Sequence, residues 1–471
     1  MLPIKSPDQS AKGGVPQHPF AKGCKIALLI WLLGVLIPLN LWWSNHTQYG
    51  ATRIWTLCFP NADFSQYYLA GTAARYGLWM HLYPHFKSEW ADKPGRKIWF
   101  SEYAEADPEL LEKVSGIAEE PVLNIAPPPQ ALLCLPLAYF PINVAFKIWM
   151  TGLILASLGT AACMVTIFRR LGGTSGYVAG AFYLAGAFLP LLPRIGAGDN
   201  AMMFLVLCVG VAALAWADDR PFLLGAGLIL PAVFKGLTAS WCPLLLFKPV
   251  KWQALGWLAV WTILLNGLVL WWGGIHPYKT WIQDILPNAQ SMEIQQAWLH
   301  CMNLKGIAYR WGWESFPASV MKGLNLAGLL AVYFGFWKQG PCRGRAALAN
   351  LCAALVAALV IFNLCNAVSW LPYIAFLLPF AGWAAVEYGH SAPPEKRRFK
   401  VLAGFLFLAV PGIHLAFSRF ILKDAQAMTN AGRDLYLGVE LCFLGLAYRR
   451  LYRAVPPTTG SASPDGLRQP Q

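Results

Sequence analysis

The sequence predicts an all-α fold, a polytopic transmembrane helical bundle of about twelve spans with two large outer loops. Two observations carry the prediction. Of the 471 residues, 57% are hydrophobic and only 13% charged, a balance that excludes an ordinary soluble fold. The apolar residues fall in separate runs, many long enough for a bilayer crossing, with Lys and Arg in the connections between them. The net charge of +14 is therefore spread over loop anchors and forms no nucleic-acid face. Cys163, Cys208, Cys352 and Cys365 lie inside apolar stretches without metal-ligand spacing and read as small hydrophobes.

The first run, Ile26 to Trp43, follows Lys5, Lys12, Lys22 and Lys25 and shows no small-residue cleavage pattern. It reads as a retained first span, with residues 1–25 as a cytoplasmic tail. Runs at 143–168, 174–192, 200–217, 221–234, 237–247, 252–272, 320–337, 345–365, 369–387, 400–420 and 433–448 complete the twelve. The basic connections are Arg169-Arg170, Asp218 to Arg220, Lys248 to Lys251, Lys338 to Arg345, Lys396 to Lys400 and Arg449-Arg450. These and both termini, including the disordered tail 451–471, are assigned to the cytoplasmic side of a plasma (inner) membrane. Ala131 to Phe140 follows three prolines, stops at Pro141 and is too short to cross, so it reads as a partly inserted or kinked lead-in to the second span. The pair 221–234 and 237–247 breaks at Phe234-Lys235-Gly236, as two half-length helices meeting in a watered, protein-lined cavity would.

The outer loops cover 44–129 and 273–319. Within the first, 89–120 carries nine acids against four bases and reads as a solvated excursion. Around Trp55, Phe64, Tyr67, Tyr68, Trp79 and Tyr83 it is aromatic, as expected of short amphipathic helices at the interface. The second loop repeats this character with Trp281, Trp298, Trp311 and Trp313. Chemistry at the outer face, toward periplasm or exterior, is the expectation. Matched broken helices in two halves, the mark of an inverted-repeat transporter, are not seen.

The sharpest local feature is Asn61-Ala62-Asp63-Phe64-Ser65-Gln66-Tyr67-Tyr68-Leu69-Ala70-Gly71, followed by Gly77 and Leu82-Tyr83. As a helix it stacks Phe64, Tyr67, Tyr68 and Gly71 on one side, with Asp63 at its N terminus. Asp63 then has two compatible readings, a helix N-cap and a general base able to take a proton from a sugar hydroxyl. Asp-Phe, two residues, Tyr-Tyr, one residue, Ala-Gly, then a Gly and a Leu-Tyr, resembles the start of glycosyltransferase family 87, membrane enzymes of the GT-C type. Ala126-Pro127-Pro128-Pro129 with Leu135-Pro136-Leu137, Pro141, Ala145 and Trp149 resembles the family's next block. Gly198-Asp199-Asn200 and Phe234-Lys235-Gly236 resemble two later elements, with Asp199 in place of an uncharged residue and Gly236 in place of Pro. Of the family's loop element, only the end survives in Cys301-Met302-Asn303-Leu304-Lys305-Gly306. The resemblance covers roughly 26–320 as the catalytic membrane core; 321–450 matches only as hydrophobic spans.

The resemblance implies a transferase that moves a hexosyl group, by analogy mannosyl, from a polyprenyl-phosphate sugar to a lipid or glycan acceptor, with Asp63 as catalytic base. The chemistry asks for a base at the acceptor hydroxyl and cations at the departing phosphate. Candidate cations are Lys235, Arg194, Lys305 and Arg310. Lys235 lies between half-length apolar helices, where a charge is costly unless it meets an ion or water; the alternative is a side chain snorkelling to the headgroups. Arg194 and Asp199 either pair with each other or touch substrate. Asn200, Tyr67, Tyr68, His300 and Asn303 complete the candidate substrate-binding set. His81 and His85 flank Tyr83 and are explained without a metal. No Asp-x-Asp pair occurs in the outer loops, which favours a lipid-linked donor; no cofactor is expected and a metal requirement stays open. The alternative class is a lipid-linked sugar flippase or transporter, for which charged residues would be spread along several spans. Cysteine-accessibility labelling is expected to place Lys87, Lys305 and Lys423 outside and Arg170, Lys248 and Arg397 inside. Labelling of Arg170 and Arg397 from opposite sides would contradict the twelve-span arrangement.

Overall fold

The computed structural model describes residues 64–86, 104–105, 107–114, 124, 126–172, 201–235, 237–247, 251–286, 303–310, 317–340, 344–365, 371–389 and 426–452. These are helical apart from one short antiparallel ladder, β1 (His85–Phe86) with β2 (Ala104–Glu105), in the register His85↔Glu105. Four helices are long and apolar enough to cross a membrane: α4 (Ile142–Arg170), α7 (Trp252–Gly273), α10 (Ala318–Lys338) and α11 (Gly344–Cys365). The described residues therefore supply four candidate spans where twelve were expected.

The shortfall has identifiable causes. The runs at 26–43, 174–192 and 400–420 lie outside the described residues. Those at 200–217 and 221–234 form α5 (Met202–Ala217) and α6 (Pro221–Lys235), of 16 and 15 residues, so each falls short of the ~30 Å hydrocarbon thickness. Runs 237–247 and 369–387 become 3₁₀ segments, Leu237–Leu246 and Leu371–Phe380, the latter continued by α12 (Ala381–Gly389). Internal prolines at Pro243 and Pro379 remove backbone donors there. The final run is α13 (Gln426–Tyr452), whose polar first turns dilute its hydropathy.

Ion pairs and one close contact gather the basic connections at one end of the bundle. Arg170 pairs with Asp218, joining the end of α4 to the end of α5, and its hydrogen bond holds the Asp218 carboxyl below the usual carboxylate range. Asp219 takes the left-handed conformation (φ 55°) in the tight turn into α6 and receives Lys251 Nζ at 2.6 Å. Gly172 faces the Arg345 guanidinium at the start of α11. Arg450 of α13 bonds Glu387 of α12 at 3.3 Å and Asn350 of α11 at 2.7 Å. The Lys251–Asp219 pair also fixes the course of the short segments. Since residues 219 and 251 meet, α6 runs away from this end for ~22 Å and the 3₁₀ segment Leu237–Leu246 returns for ~20 Å. Thr238 Oγ1 donating to the Leu228 carbonyl closes the reversal. Residue 235 stands at its apex.

The opposite end holds α1 (Phe64–Tyr76), packed on α3 (Pro129–Cys134) and the 3₁₀ turn Leu135–Tyr139. The lead-in 131–140 is thus a short helix broken into a 3₁₀ turn and docked on α1. Short amphipathic helices at the interface were expected around Phe64, Tyr67 and Tyr68, but every residue from Phe64 to Ala74 is buried. The reason is size: Ala70, Gly71, Ala73 and Ala74 let neighbouring backbone close over the faces that the aromatic residues leave. At Gly71 a Cβ would press directly against the Cys134 carbonyl. Apolar surface remains outward on α7 and α10, at Ile263, Leu264, Leu326 and Leu330 for example, as lipid contact requires. Gly71→Ala is expected to destabilise the fold by about 1–3 kcal/mol because backbone must move. Gly256→Ala, on α7 with open space around it, should leave the melting temperature unchanged or slightly raised.

Candidate functional site

Three chain elements meet at the end of the bundle opposite the basic connections, and Tyr67 is their common contact. Its ring lies 4.9 Å from Trp149 of α4 and 6.1 Å from Phe234, the penultimate residue of α6. Its hydroxyl accepts a hydrogen bond from the Ala201 N–H at 3.2 Å, satisfying a backbone donor at the start of α5. Phe64 packs edge-on against Phe146 at 5.3 Å, and Trp149 against Phe204 at 4.9 Å, so α1, α4 and α5 share one aromatic cluster. Tyr68 donates to the Phe140 carbonyl at 2.8 Å and ties α1 to the turn before α4. Both tyrosines are buried, at 1% and 7% exposure.

Covalent connectivity then assembles the candidates. Asp63 immediately precedes Phe64; Asn200 supplies the carbonyl carbon of the amide whose N–H reaches Tyr67; Lys235 follows Phe234. Asp63, Arg194, Asp199, Asn200 and His300 themselves lie outside the described residues. Lys235 is described as the last residue of α6. Lys305 and Arg310 lie in a short helix, Leu304–Arg310, whose Leu304 packs on the main hydrophobic core. Asn303, fully buried, accepts the Gly306 N–H at 2.7 Å through Oδ1. It caps that helix, and the Asn three positions before Gly306 was the local signal for this.

Around α1 the structure gives partners to residues the sequence reading named only in passing, and adds Arg75, Asn124 and Gln130, which it did not name. Arg75 reaches the Ala138 carbonyl, with its guanidinium 5.0 Å from the Tyr76 ring and 4.9 Å from the Tyr139 ring. Tyr83 donates to the Ala126 carbonyl at 2.8 Å; burial and the neighbouring Tyr278 keep its hydroxyl protonated, well above the ordinary phenol range. His81 sits between carboxylates, Nδ1 at 2.7 Å from Asp107 and Nε2 at 3.2 Å from Glu109, clasping the helix Pro108–Glu112 of the acidic excursion to the turn after α1. Trp79 Nε1, Asn124 Nδ2 and Gln130 Nε2 are buried donors without a hydrogen-bond partner. Their signal in the sequence was faint, since a Trp, an Asn and a Gln at these spacings fit many local structures.

The model of glycosyltransferase family 87 matches residues 125–362, just over half of the chain. The chain belongs to glycosyltransferase family 87. No curated protein and no solved structure matches it. The family match begins 62 residues after Asp63, so the block from Asn61 to Tyr83 lies outside it, and it extends through most of α11, beyond the expected limit at 320. Inside the match are the Ala126–Pro129 block, Gly198-Asp199-Asn200, Phe234-Lys235-Gly236 and the capped helix at 304–310. Membership assigns glycosyl transfer as the general activity of a membrane-associated, multi-helical protein, with a lipid-linked sugar donor and an acceptor in general terms. Tyr67→Phe leaves the Ala201 N–H without its partner and is expected to cost about 1–3 kcal/mol. Thermal unfolding in detergent measures it, and an unchanged melting temperature would mean that this bond does not hold α5 to α1.

Proposed function

We propose that this member of family 87 transfers a hexosyl group, mannosyl by resemblance, from a polyprenyl-phosphate sugar to a lipid or glycan acceptor at the outer face of the plasma membrane. The observation that carries the reading is the meeting of the α1 N terminus, the α5 N terminus and the α6 C terminus around Tyr67. That junction lies at the end of the bundle away from the basic connections, which the charge rule assigns to the cytoplasm together with both termini.

The reaction needs few groups. The acceptor oxygen attacks the anomeric carbon as the bond from that carbon to the phosphate oxygen breaks; the polyprenyl phosphate leaves with the electron pair, and the acceptor proton passes to the base. Attack opposite the leaving group inverts the anomeric centre. The departing phosphate is already anionic, so a strong general acid is unnecessary, while a base and cations are required. Asp63 is the proposed base. Lys235 is the proposed phosphate ligand, because a lysine at the apex of two half-length apolar segments is stable only where an anion or water meets it. Arg194, Lys305 and Arg310 are the other proposed cations, and Tyr67, Tyr68, Asp199, Asn200, His300 and Asn303 the other proposed substrate-binding residues.

The assay is single-turnover transfer from labelled polyprenyl-phosphate mannose to lipid acceptors in nanodiscs, beside donor affinity. Asp63→Asn keeps shape and removes basicity, so turnover should fall roughly 10²- to 10⁴-fold with little loss of donor binding. Lys235→Met keeps an apolar stem and removes the charge. Donor affinity and rate should then fall together, because the phosphate is negative before reaction and gains charge as the bond breaks. Transfer at the normal rate by Asp63→Asn would leave Asp63 as a helix cap only.

A further inference from the structure

Away from this junction, a carboxyl group is buried among the C-terminal helices. Glu440 of α13 is 1% exposed and Asn363 of α11 is fully buried; Asn363 Nδ2 donates to Glu440 Oε1 at 3.3 Å. The second oxygen of each side chain, Glu440 Oε2 and Asn363 Oδ1, is buried without a hydrogen-bond partner. A third orphan acceptor, Asn325 Oδ1, lies on α10 one turn before Gly328. Gly328 packs against Ile361 of α11, and its carbonyl accepts from Tyr448 of α13, so the three helices are in register here. Among the described residues, three buried acceptors on these helices lack a donor.

Among the described side chains, the charged groups elsewhere on these helices do not relieve the imbalance; the side chains of Arg433 and Asp434 of α13 lie outside the described residues. Glu387 of α12 and Arg450 pair with each other, about 15 Å further along α13. Lys322 and Lys338 of α10 and Arg345 of α11 are exposed, and Leu371–Phe380 contains no charged residue. An ionised Glu440 would be desolvated, with its Oε2 left unpaired. A proton on Oε2 converts that oxygen into the missing donor and satisfies Asn363 Oδ1 as well.

We propose that Glu440 and Asn363 form a proton-binding site. Glu440 is carried as the neutral acid, Oε2–H donating to Asn363 Oδ1 while Asn363 Nδ2 donates to Oε1, and this two-bond ring docks α13 on α11. Asn363 is two residues from the end of α11 that lies opposite the basic connections, so the proton is exchanged at the same end of the bundle as the Tyr67 junction. Loss of the proton leaves a buried carboxylate against a carbonyl oxygen and loosens α13.

Infrared spectroscopy of the full chain in nanodiscs tests this directly. At neutral pH the wild-type spectrum should contain a carboxylic-acid carbonyl stretch that is absent in Glu440→Gln and shifted in Asn363→Leu, which lacks the reciprocal partner. The band should disappear as pH is raised. The sign of the stability effect follows from linkage. The unfolded chain releases this proton at ordinary carboxylate pH while the native chain keeps it, so stability relative to Glu440→Gln falls as pH rises. Glu440→Gln retains a donor for Asn363 Oδ1 and should be at least as stable as wild type at neutral pH. Parallel melting profiles with no acid band would overturn the proposal, as would stabilisation by sodium at constant pH without an acid band, which would mark a cation site. Should Glu440→Gln fail to fold, the band shift in Asn363→Leu decides between the same outcomes.

Discussion

The hydrogen bond from the Ala201 amide to the Tyr67 hydroxyl is the joint on which the candidate site depends. It satisfies a backbone donor at a helix start inside an apolar cluster, where an unpaired amide is costly. It also joins two stretches 134 residues apart in the chain, a helix from the first outer loop and one from the membrane core. The aromatic ring that carries the hydroxyl packs on Trp149 and Phe234, so a single side chain sets α1 against α4, α5 and α6. Gly71 makes this possible from the other side, since any side chain there would meet the Cys134 backbone.

The reversal after α6 answers a second constraint. Apolar surroundings demand that backbone groups be paired within the protein, and a 15-residue helix cannot span the hydrocarbon alone. The chain turns at residue 235, uses Thr238 to satisfy the Leu228 carbonyl, and returns as a 3₁₀ segment whose Trp241 donates to the Leu355 carbonyl of α11 at 3.1 Å. Lys251 against Asp219 locks the two feet of this hairpin together. The arrangement leaves Lys235 at the apex, the residue proposed above to hold the donor phosphate. The Glu440–Asn363 pair follows the same logic in the C-terminal helices, with a proton in the place of the phosphate.

Much of the helical frame was legible because apolar runs end where charges begin. The run 143–168 corresponds to Ile142–Arg170, 252–272 to Trp252–Gly273 and 345–365 to Gly344–Cys365, and the break at Lys235 falls where α6 ends. Length alone misled for 237–247 and 369–387, where Pro243 and Pro379 lie in tighter 3₁₀ turns. The burial of α1 was not legible, because alanine and glycine at 70–74 carry no hydrophobic signal and act by permitting close approach. Long-range partners were invisible for a related reason: nothing near Tyr67 names Ala201, and nothing near Glu440 names Asn363. Asn303 illustrates the reverse case, a polar residue whose local spacing already described a helix cap, a role compatible with the substrate contact proposed for it.

The central claim is that donor phosphate, α1 and the α6 apex occupy one place. A photoreactive polyprenyl-phosphate analogue, crosslinked to the intact protein in nanodiscs and mapped by mass spectrometry, tests it most directly. Adducts should fall within residues 61–68, 198–204 and 234–238 and be competed by unlabelled polyprenyl phosphate. Competable adducts at 169–172, 218–220 or 248–251 would place the phosphate at the basic end of the bundle and contradict the account.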